Sequence, residues 1–318
     1  MTLRVLVLGA GGFIGRRVVA ALAASGWACP VAAGRHAAHL PVRDGIETLE
    51  LDATDPVRLA GALGESGAVV SCVAGSAGNI VTAARVMFEA ASRSTNQPRI
   101  IHLSSLAVYG SARGVVDETT VLSGRRDAYG EAKLQSERLA AGYPRAVILR
   151  PGIVYGPGSP LWSDLIARLL TARRLGDLGA AAQGICNLVH VDDVAAAVVR
   201  ALRAPETDAQ IFNLAIPRPP TWNEYFRCYA EALGAVPLRR ISRARLAAEL
   251  ALGPVFKVGE ILGRGGAPPL RPWLLRLCRH DITLRARRIE EALGLSWIAL
   301  DSGLAGTAAW FRAGKRSA

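Results

Sequence analysis

Three glycines at positions 9, 12 and 15, set directly behind a short apolar run, constrain the fold of this chain more than any other feature. Leu3 to Leu8 is mostly β-branched residues and leucine and predicts a strand buried on both faces. Arg16 to Ala24 is rich in Ala, Val and Leu and predicts a helix, with Gly26 as its C-terminal stop. Between them lies Gly9-Ala10-Gly11-Gly12-Phe13-Ile14-Gly15, a G-x-x-G-x-x-G spacing in which Ile14 rules out the strict G-x-G-x-x-G form. A glycine turn between strand and helix lets backbone approach a pyrophosphate closely, and the helix N-terminus adds N–H donors and a positive dipole end. Gly9, Gly11, Gly12, Phe13, Ile14 and Gly15 are therefore candidate dinucleotide contacts. Taken alone, the segment also suits a glycine-rich turn in some other α/β fold.

The next strand, Val31-Ala32-Ala33, ends in Gly34-Arg35-His36. NAD enzymes carry an acidic ribose-binding residue about 20 residues past the glycines, and none stands here. Arg35 suits a 2′-phosphate, which favours NADP over NAD; a solvated loop arginine is the alternative. Asp52, followed by Ala53, comes after the third predicted strand, where its carboxylate could accept from an adenine amine. An Asx turn or helix cap within Asp52-Ala53-Thr54-Asp55 explains it equally well. Val73, Ala74 and Gly75 end the fourth strand with small residues that let a cofactor lie flat across the sheet edge.

The first 150 residues alternate strand-like and helix-like segments, the pattern of a doubly wound parallel sheet. Strands are predicted at 3–8, 28–33, 47–51, 68–73, 99–104 and 145–149, and helices at 16–24, 56–63, 80–93 and 128–141. Ile101-His102-Leu103-Ser104-Ser105 ends the fifth strand, and ligands of such sheets bind beyond strand C-termini. Tyr129 and Lys133 are i and i+4 on the following helix and share one face. A phenol is a weak acid, with a reference pKa of about 10, and a nearby ammonium that stabilises the phenolate brings proton transfer toward working pH. Ser105 can orient a substrate oxygen by hydrogen bonding, and Lys133 can also hold a nicotinamide ribose. Tyr-x-x-x-Lys alone carries little weight, but it gains weight from the glycine turn and the Ser-Ser strand end before it.

With 38 Lys and Arg against 26 Asp and Glu, the chain has a net charge of +12, and residues 238–318 hold +9 of it. No nucleic-acid module accompanies this excess, so no nucleic-acid partner is expected. It leaves open anionic substrates, solubility or an acidic membrane surface. The apolar Trp273-Leu274-Leu275-Arg276-Leu277 is a candidate for peripheral membrane contact; the alternative is a helical lobe packed on the sheet. Five scattered cysteines show no metal or disulfide spacing and fit a reducing cytoplasm. The N-terminal apolar run lacks the basic flank of a signal peptide, and no 18-residue apolar run predicts a membrane span.

In its ordered motifs the chain resembles the extended short-chain dehydrogenase/reductase superfamily, in its epimerase/dehydratase branch, over about residues 3–235. The resemblance rests on the glycine turn, on Ser104-Ser105-Leu106-Ala107-Val108-Tyr109-Gly110 and on Tyr129 to Lys133. It extends to Leu149-Arg150-Pro151-Gly152-Ile153-Val154-Tyr155-Gly156-Pro157-Gly158, to Val189-His190-Val191-Asp192-Asp193-Val194 and to Ile211-Phe212-Asn213-Leu214-Ala215. It implies a Ser105, Tyr129 and Lys133 triad, a nicotinamide passing beside Pro151, Gly152, Ile153 and Val154, and pocket or packing roles for Tyr109 and Tyr155. The His190 to Asp193 segment is usually structural in this family, so no metal site is expected there. Where family dehydratases carry an Asp-Glu pair after the catalytic hydroxyl residue, this chain has Leu106-Ala107, which disfavours a 4,6-dehydratase. The short Ser76-Ala77-Gly78 connection also leaves one wall of the usual sugar site in doubt.

The fold expected is α/β: a Rossmann-type doubly wound parallel sheet with a smaller, mostly helical C-terminal substrate lobe. Residues 1–155, with return segments near 186–216, are expected to bind NAD(P), and 156–185 with 217–318 to form the lobe. Thr221-Trp222-Asn223-Glu224 is a capping box that opens a helix to about Leu233, which Gly234 ends, and Leu246–Leu262 and Leu270–Leu277 are further apolar lobe segments. The function expected is NADP-preferring hydride transfer at a ketone or secondary alcohol carbon of a small-molecule substrate. A nucleotide-sugar epimerase with tightly bound cofactor, clamped by arginines such as Arg239 and Arg240, is the second expectation. A non-catalytic nucleotide-binding scaffold is the third, and a homodimer is compatible with each.

Overall fold

Residues Val5 to Leu8 show how the central sheet is built. Val5 and Val7 pack into one buried cluster and Leu6 and Leu8 into another, so one strand feeds two cores from opposite faces. A computed structural model of the chain describes residues 2–40, 45–123, 127–251 and 270–316. Its main sheet has seven strands, all parallel, in the order β10-β7-β5-β4-β1-β2-β3. These are β1 (Leu3–Leu8), β2 (Ala28–Gly34), β3 (Glu47–Glu50), β4 (Ala68–Ser71), β5 (Arg99–Leu103), β7 (Ala146–Pro151) and β10 (Ile211–Leu214). One face is covered by α1 (Phe13–Ala23) and α6 (Val191–Arg203), the other by α2 (Pro56–Gly64), α3 (Ala77–Arg93) and α4 (Ala128–Ala141). This is the Rossmann-type fold expected.

The strand order reverses between β1 and β4, the switch point where sheets of this kind open a crevice beyond the strand ends. Over that crevice lies a second core, drawn from α5 (Ile166–Thr171), α7 (Trp222–Leu233), α8 (Arg243–Ala251), α9 (Pro272–Cys278) and α11 (Leu300–Arg316). Short parallel pairs β8 (Ile153–Tyr155) with β9 (Leu188–His190), and β6 (Gly114–Val116) with β11 (Ile282–Leu284), lie outside the main sheet. The helix α10 (Arg287–Leu293) buries Ile289 against the first core.

The capping box at Thr221 is present, with Glu224 accepting from the Thr221 N–H, and Gly234 ends α7 in the left-handed conformation. Of the predicted Leu246–Leu262 segment, α8 covers the beginning and residues 252–269 lie outside the described residues. Leu274 and Leu275 of α9 are buried in the second core, so the packed-lobe alternative accounts for this segment. Among the described residues no helix is long and apolar enough to cross a membrane.

Candidate functional site

The glycine turn is shaped by close approach. Gly9 has a φ of +77°, and a Cβ there would lie 2.8 Å from the Cys72 carbonyl oxygen, so the turns after β1 and β4 meet backbone to backbone. A Cβ on Gly15 would overlap the Gly9 carbonyl oxygen. The turn leads straight into α1, whose N-cap, Gly12, has no side chain and whose first turn holds no acidic residue. The first N–H groups of α1 thus keep the positive end of the helix free for an external anion. Gly12, Phe13, Ile14 and Gly15 line a cavity of about 760 Å³. A dinucleotide fits these residues: the turn lacks side chains where backbone must approach, and the donors a pyrophosphate needs have no internal side-chain cap.

The same cavity is lined by Val73 and Ala74 after β4, by Ser104 and Ser105 after β5, and by Pro151, Gly152, Ile153 and Val154 from the end of β7 into β8. A Cβ on Gly152 would overlap the Asn187 carbonyl oxygen, so glycine lets this strand end press against its neighbour. Tyr129 and Lys133 line the cavity from α4, whose first turn is capped by Asp127 accepting from the Gly130 N–H at 2.8 Å. The structure therefore brings Ser105, Tyr129 and Lys133 into one pocket, with the Ser105 hydroxyl near enough to the Tyr129 phenol to favour its ionised form. Ser105 Oγ also accepts from the Ala107 N–H at 3.2 Å, which holds its rotamer.

Lys133 is only 3% exposed. Its Nζ donates to the Leu103 carbonyl oxygen at 2.7 Å and, more weakly, to that of Val73 at 3.4 Å. Burial pushes its pKa down to about 8. Nζ stands 5.9 Å from the centre of the Tyr129 ring. Burial raises the Tyr129 pKa more than the neighbouring Ser105 hydroxyl lowers it, so the depression expected from the ammonium is absent. The carbonyls of Leu103 and Val73 draw the ammonium toward the sheet, and the phenol stays protonated.

Behind Lys133 on the same face of α4, Glu137 forms a buried ion pair with Arg150 of β7, at 2.6 Å. Arg150 also donates to the Tyr109 hydroxyl at 3.0 Å, and that hydroxyl donates to Asn213 Oδ1 at 2.7 Å. Helix α4 is thereby tied to two strands of the sheet.

The profile of the NAD dependent epimerase/dehydratase family matches residues 5–215. The chain belongs to this family. The ceramide reductase of Caulobacter vibrioides is 30% identical over 239 residues, covering 73% of this chain and 71% of that protein. Protein YeeZ of Escherichia coli is 32% identical over 142 residues, so the chain spans only about half, 48%, of that relative's length. The solved structure of MoeE5 in complex with UDP-glucuronic acid and NAD is similar with a TM-score of 0.75 at 25% identity, covering 98% of this chain and 99% of that one. The names of the family and of the MoeE5 complex both carry NAD, the dinucleotide class that the glycine turn fits.

Other expected site residues of this family member sit differently. Gly9 and Gly11 shape the turn and lie outside the cavity lining; a Cβ on Gly11 would come within 2.9 Å of the His39 carbonyl oxygen. Asp52 accepts from the Thr54 N–H at 2.9 Å and the Thr54 hydroxyl at 2.8 Å, forming the Asx turn; these bonds hold its carboxyl below the usual range. The helix cap is Asp55, which accepts from the N–H groups of Val57 and Arg58. Arg35 is exposed at the end of β2, near enough to Asp52 to stabilise its charge. Ala53 and Gly75 lie outside the cavity lining as well. Tyr109 and Tyr155 are fully buried packing residues. His190 Nδ1 accepts from the Asp192 N–H and caps α6, while Asp193 accepts from the Ile298 N–H. The expected arginine clamp is not at the site: Arg240 pairs with Asp177 at 2.6 Å, and neither it nor Arg239 lines the cavity.

Several lining residues escaped the sequence reading. Ser104 Oγ is buried beside the cavity with no hydrogen-bond partner among the described residues, so a ligand can use it. Leu161, Trp162, Trp273, Arg276, Leu277 and His280 form the wall contributed by the lobe. Their signal in the sequence is two short aromatic–aliphatic stretches, Leu161-Trp162 and Trp273 to Leu277, far apart in the chain.

Proposed function

We propose that this chain is an NADP-preferring oxidoreductase that reduces a ketone or oxidises a secondary alcohol. The observation that carries the reading is that Ser105, Tyr129 and, one turn along α4, Lys133 line one cavity that runs on to the uncapped start of α1. When bound, the nicotinamide dinucleotide supplies or accepts the hydride at the reacting carbon. In the reducing direction Tyr129 donates its phenol proton to the substrate oxygen, which Ser105 Oγ holds by a hydrogen bond. In the oxidising direction Tyr129 receives that proton. Lys133, anchored through the Leu103 and Val73 carbonyls, keeps a cation beside the phenol and one N–H for a ribose hydroxyl. Gly12 to Gly15 and the start of α1 would hold the pyrophosphate, and Arg35 a 2′-phosphate.

Similarity to a ceramide reductase supports the reducing direction. A second reading, sugar-nucleotide epimerisation with retained cofactor, draws on the similarity to MoeE5 in complex with UDP-glucuronic acid and NAD. Release of stoichiometric NADP+ from added NADPH identifies the reductase; tightly bound cofactor without net consumption identifies the epimerase. Tyr129→Phe should lower turnover by at least a hundredfold while leaving NADPH affinity, read by protein fluorescence, nearly intact. Wild-type turnover in that variant rejects the mechanism, and a kcat/KM equal for NADPH and NADH rejects the cofactor preference.

A further inference from the structure

The triad occupies one end of the cavity, and what the rest accepts is set by the wall facing it. That wall is built by Pro160–Leu165 and by α9. The first segment is a π-turn: the Asp164 N–H donates to the Ser159 carbonyl oxygen at 2.9 Å, and Ser159 Oγ accepts from the Trp162 N–H at 3.2 Å. The Trp162 ring stands between two others. Trp222, 1% exposed in the lobe core, lies at 5.7 Å, and Trp273 of α9 meets it edge-on at 5.6 Å. The Tyr225 hydroxyl donates to the Trp162 carbonyl oxygen. Trp162 is thus fixed from behind by the packed lobe, and Trp273 stands edge-on against it. Beside them Leu161, 41% exposed, and Leu277 extend the apolar surface, and Leu106 and Ala107 continue it to the triad.

Several polar side chains of the lobe and its borders are engaged by protein partners and lie outside the cavity lining. Arg240 pairs with Asp177, and the Asn187 amide donates to the Ile282 carbonyl and accepts from the Leu284 N–H. The Asn223 amide donates to the Gly179 carbonyl and accepts from the Leu178 N–H. Among the described residues Arg276 is the one arginine on this wall, against a diphosphate that carries two charges. We infer that the pocket takes an oxygen function carried on a long apolar body, an aliphatic-chain ketone or its secondary alcohol, in preference to a nucleotide sugar. This rests on the oxidoreductase reading above for the reaction but on the lobe wall for the substrate.

The test measures kcat/KM for 2-butanone, 2-hexanone, 2-octanone and 2-decanone with saturating NADPH. Burial of each methylene (about 0.8 kcal/mol) should raise kcat/KM about fourfold until the wall is covered. Leu161→Gln and Trp273→Gln should each flatten this dependence, lowering the decanone-to-butanone ratio about tenfold or more. The first of these alters a partly exposed side chain and keeps the test valid if the second misfolds. A binding arm needs no turnover: 1-anilinonaphthalene-8-sulfonate bound to the NADPH-loaded enzyme should be displaced by 2-decanone and not by UDP-glucose at equal concentration. Turnover that is flat or falling with chain length, or displacement by UDP-glucose alone, overturns the inference. Displacement by 2-decanone with no turnover of any ketone supports the inference and rejects the oxidoreductase reading instead.

Discussion

At the residue scale, two glycines illustrate opposite effects of the same substitution. Gly15 faces the Gly9 carbonyl, and neither backbone can yield, so Gly15→Ala should cost about 1–3 kcal/mol in urea unfolding and weaken NADPH binding. Gly61 of α2 has open space where a Cβ would stand, and Gly61→Ala should stabilise by about 0.5–1 kcal/mol in the same assay. His102 makes a pH prediction. It lies buried beside Lys133, and desolvation lowers its pKa to about 3. The unfolded chain binds a proton there near pH 6.5 that the native state refuses, so its contribution to stability is lost as pH falls from about 6.5 toward 3. His102→Gln should gain on the wild type by up to about 1.4 kcal/mol per pH unit across that window, measured by urea unfolding. A constant difference between the two proteins would refute this. At this scale the gathering of Ser105, Tyr129 and Lys133 in one cavity was legible, because they follow a spacing set by one strand end and one helix face. Ser104 was not, since an orphaned hydroxyl exists only once the surroundings are assembled.

At the element scale α4 does the positioning. One of its faces carries Tyr129 at the cavity, then Lys133 and then Glu137, the last locked to Arg150. Removing one charge strands the other, so Arg150→Met should destabilise by about 3–5 kcal/mol. The double variant Glu137→Leu/Arg150→Met should cost less than the single one, and a double-mutant cycle by chemical denaturation reads the difference. If the double variant costs the sum of the two singles, the pair does not act as a unit. Element boundaries explain what periodicity misses. The first helix was predicted from Arg16 on its Ala, Val and Leu content, yet α1 starts at Phe13. Gly15 is in its first turn because contact with Gly9 outweighs propensity. The fourth strand was expected to reach residue 73 but pairs only to Ser71, since the chain beyond it turns away to meet the glycine loop.

For the whole molecule, charge and packing part company. Arg271, Arg276 and Arg279 of the basic stretch 238–318 are exposed, whereas the apolar residues offered as candidates for membrane contact are core or cavity wall. Any membrane association is therefore electrostatic. The protein should co-sediment with phosphatidylglycerol vesicles at low salt and be released as ionic strength rises past about 0.15 M, where the Debye length is ~8 Å. Protein wholly in the supernatant at low salt discards the membrane contact, and salt-resistant binding contradicts its electrostatic origin.

The sequence by itself determined the Rossmann-type sheet, the glycine turn, the convergence of Ser105, Tyr129 and Lys133 and family membership, because each depends on short-range patterns: runs of buried strand residues, one turn, one helix face. Only the tertiary structure decided what surrounds the reacting carbon. Asp52 turned inward to Thr54, Arg240 went to Asp177, and Trp162 and Trp273, far apart in the chain, came edge to face across from Tyr129. A wall assembled from distant segments leaves no period or spacing in the chain, since its composition follows from which helices pack together and not from any one of them.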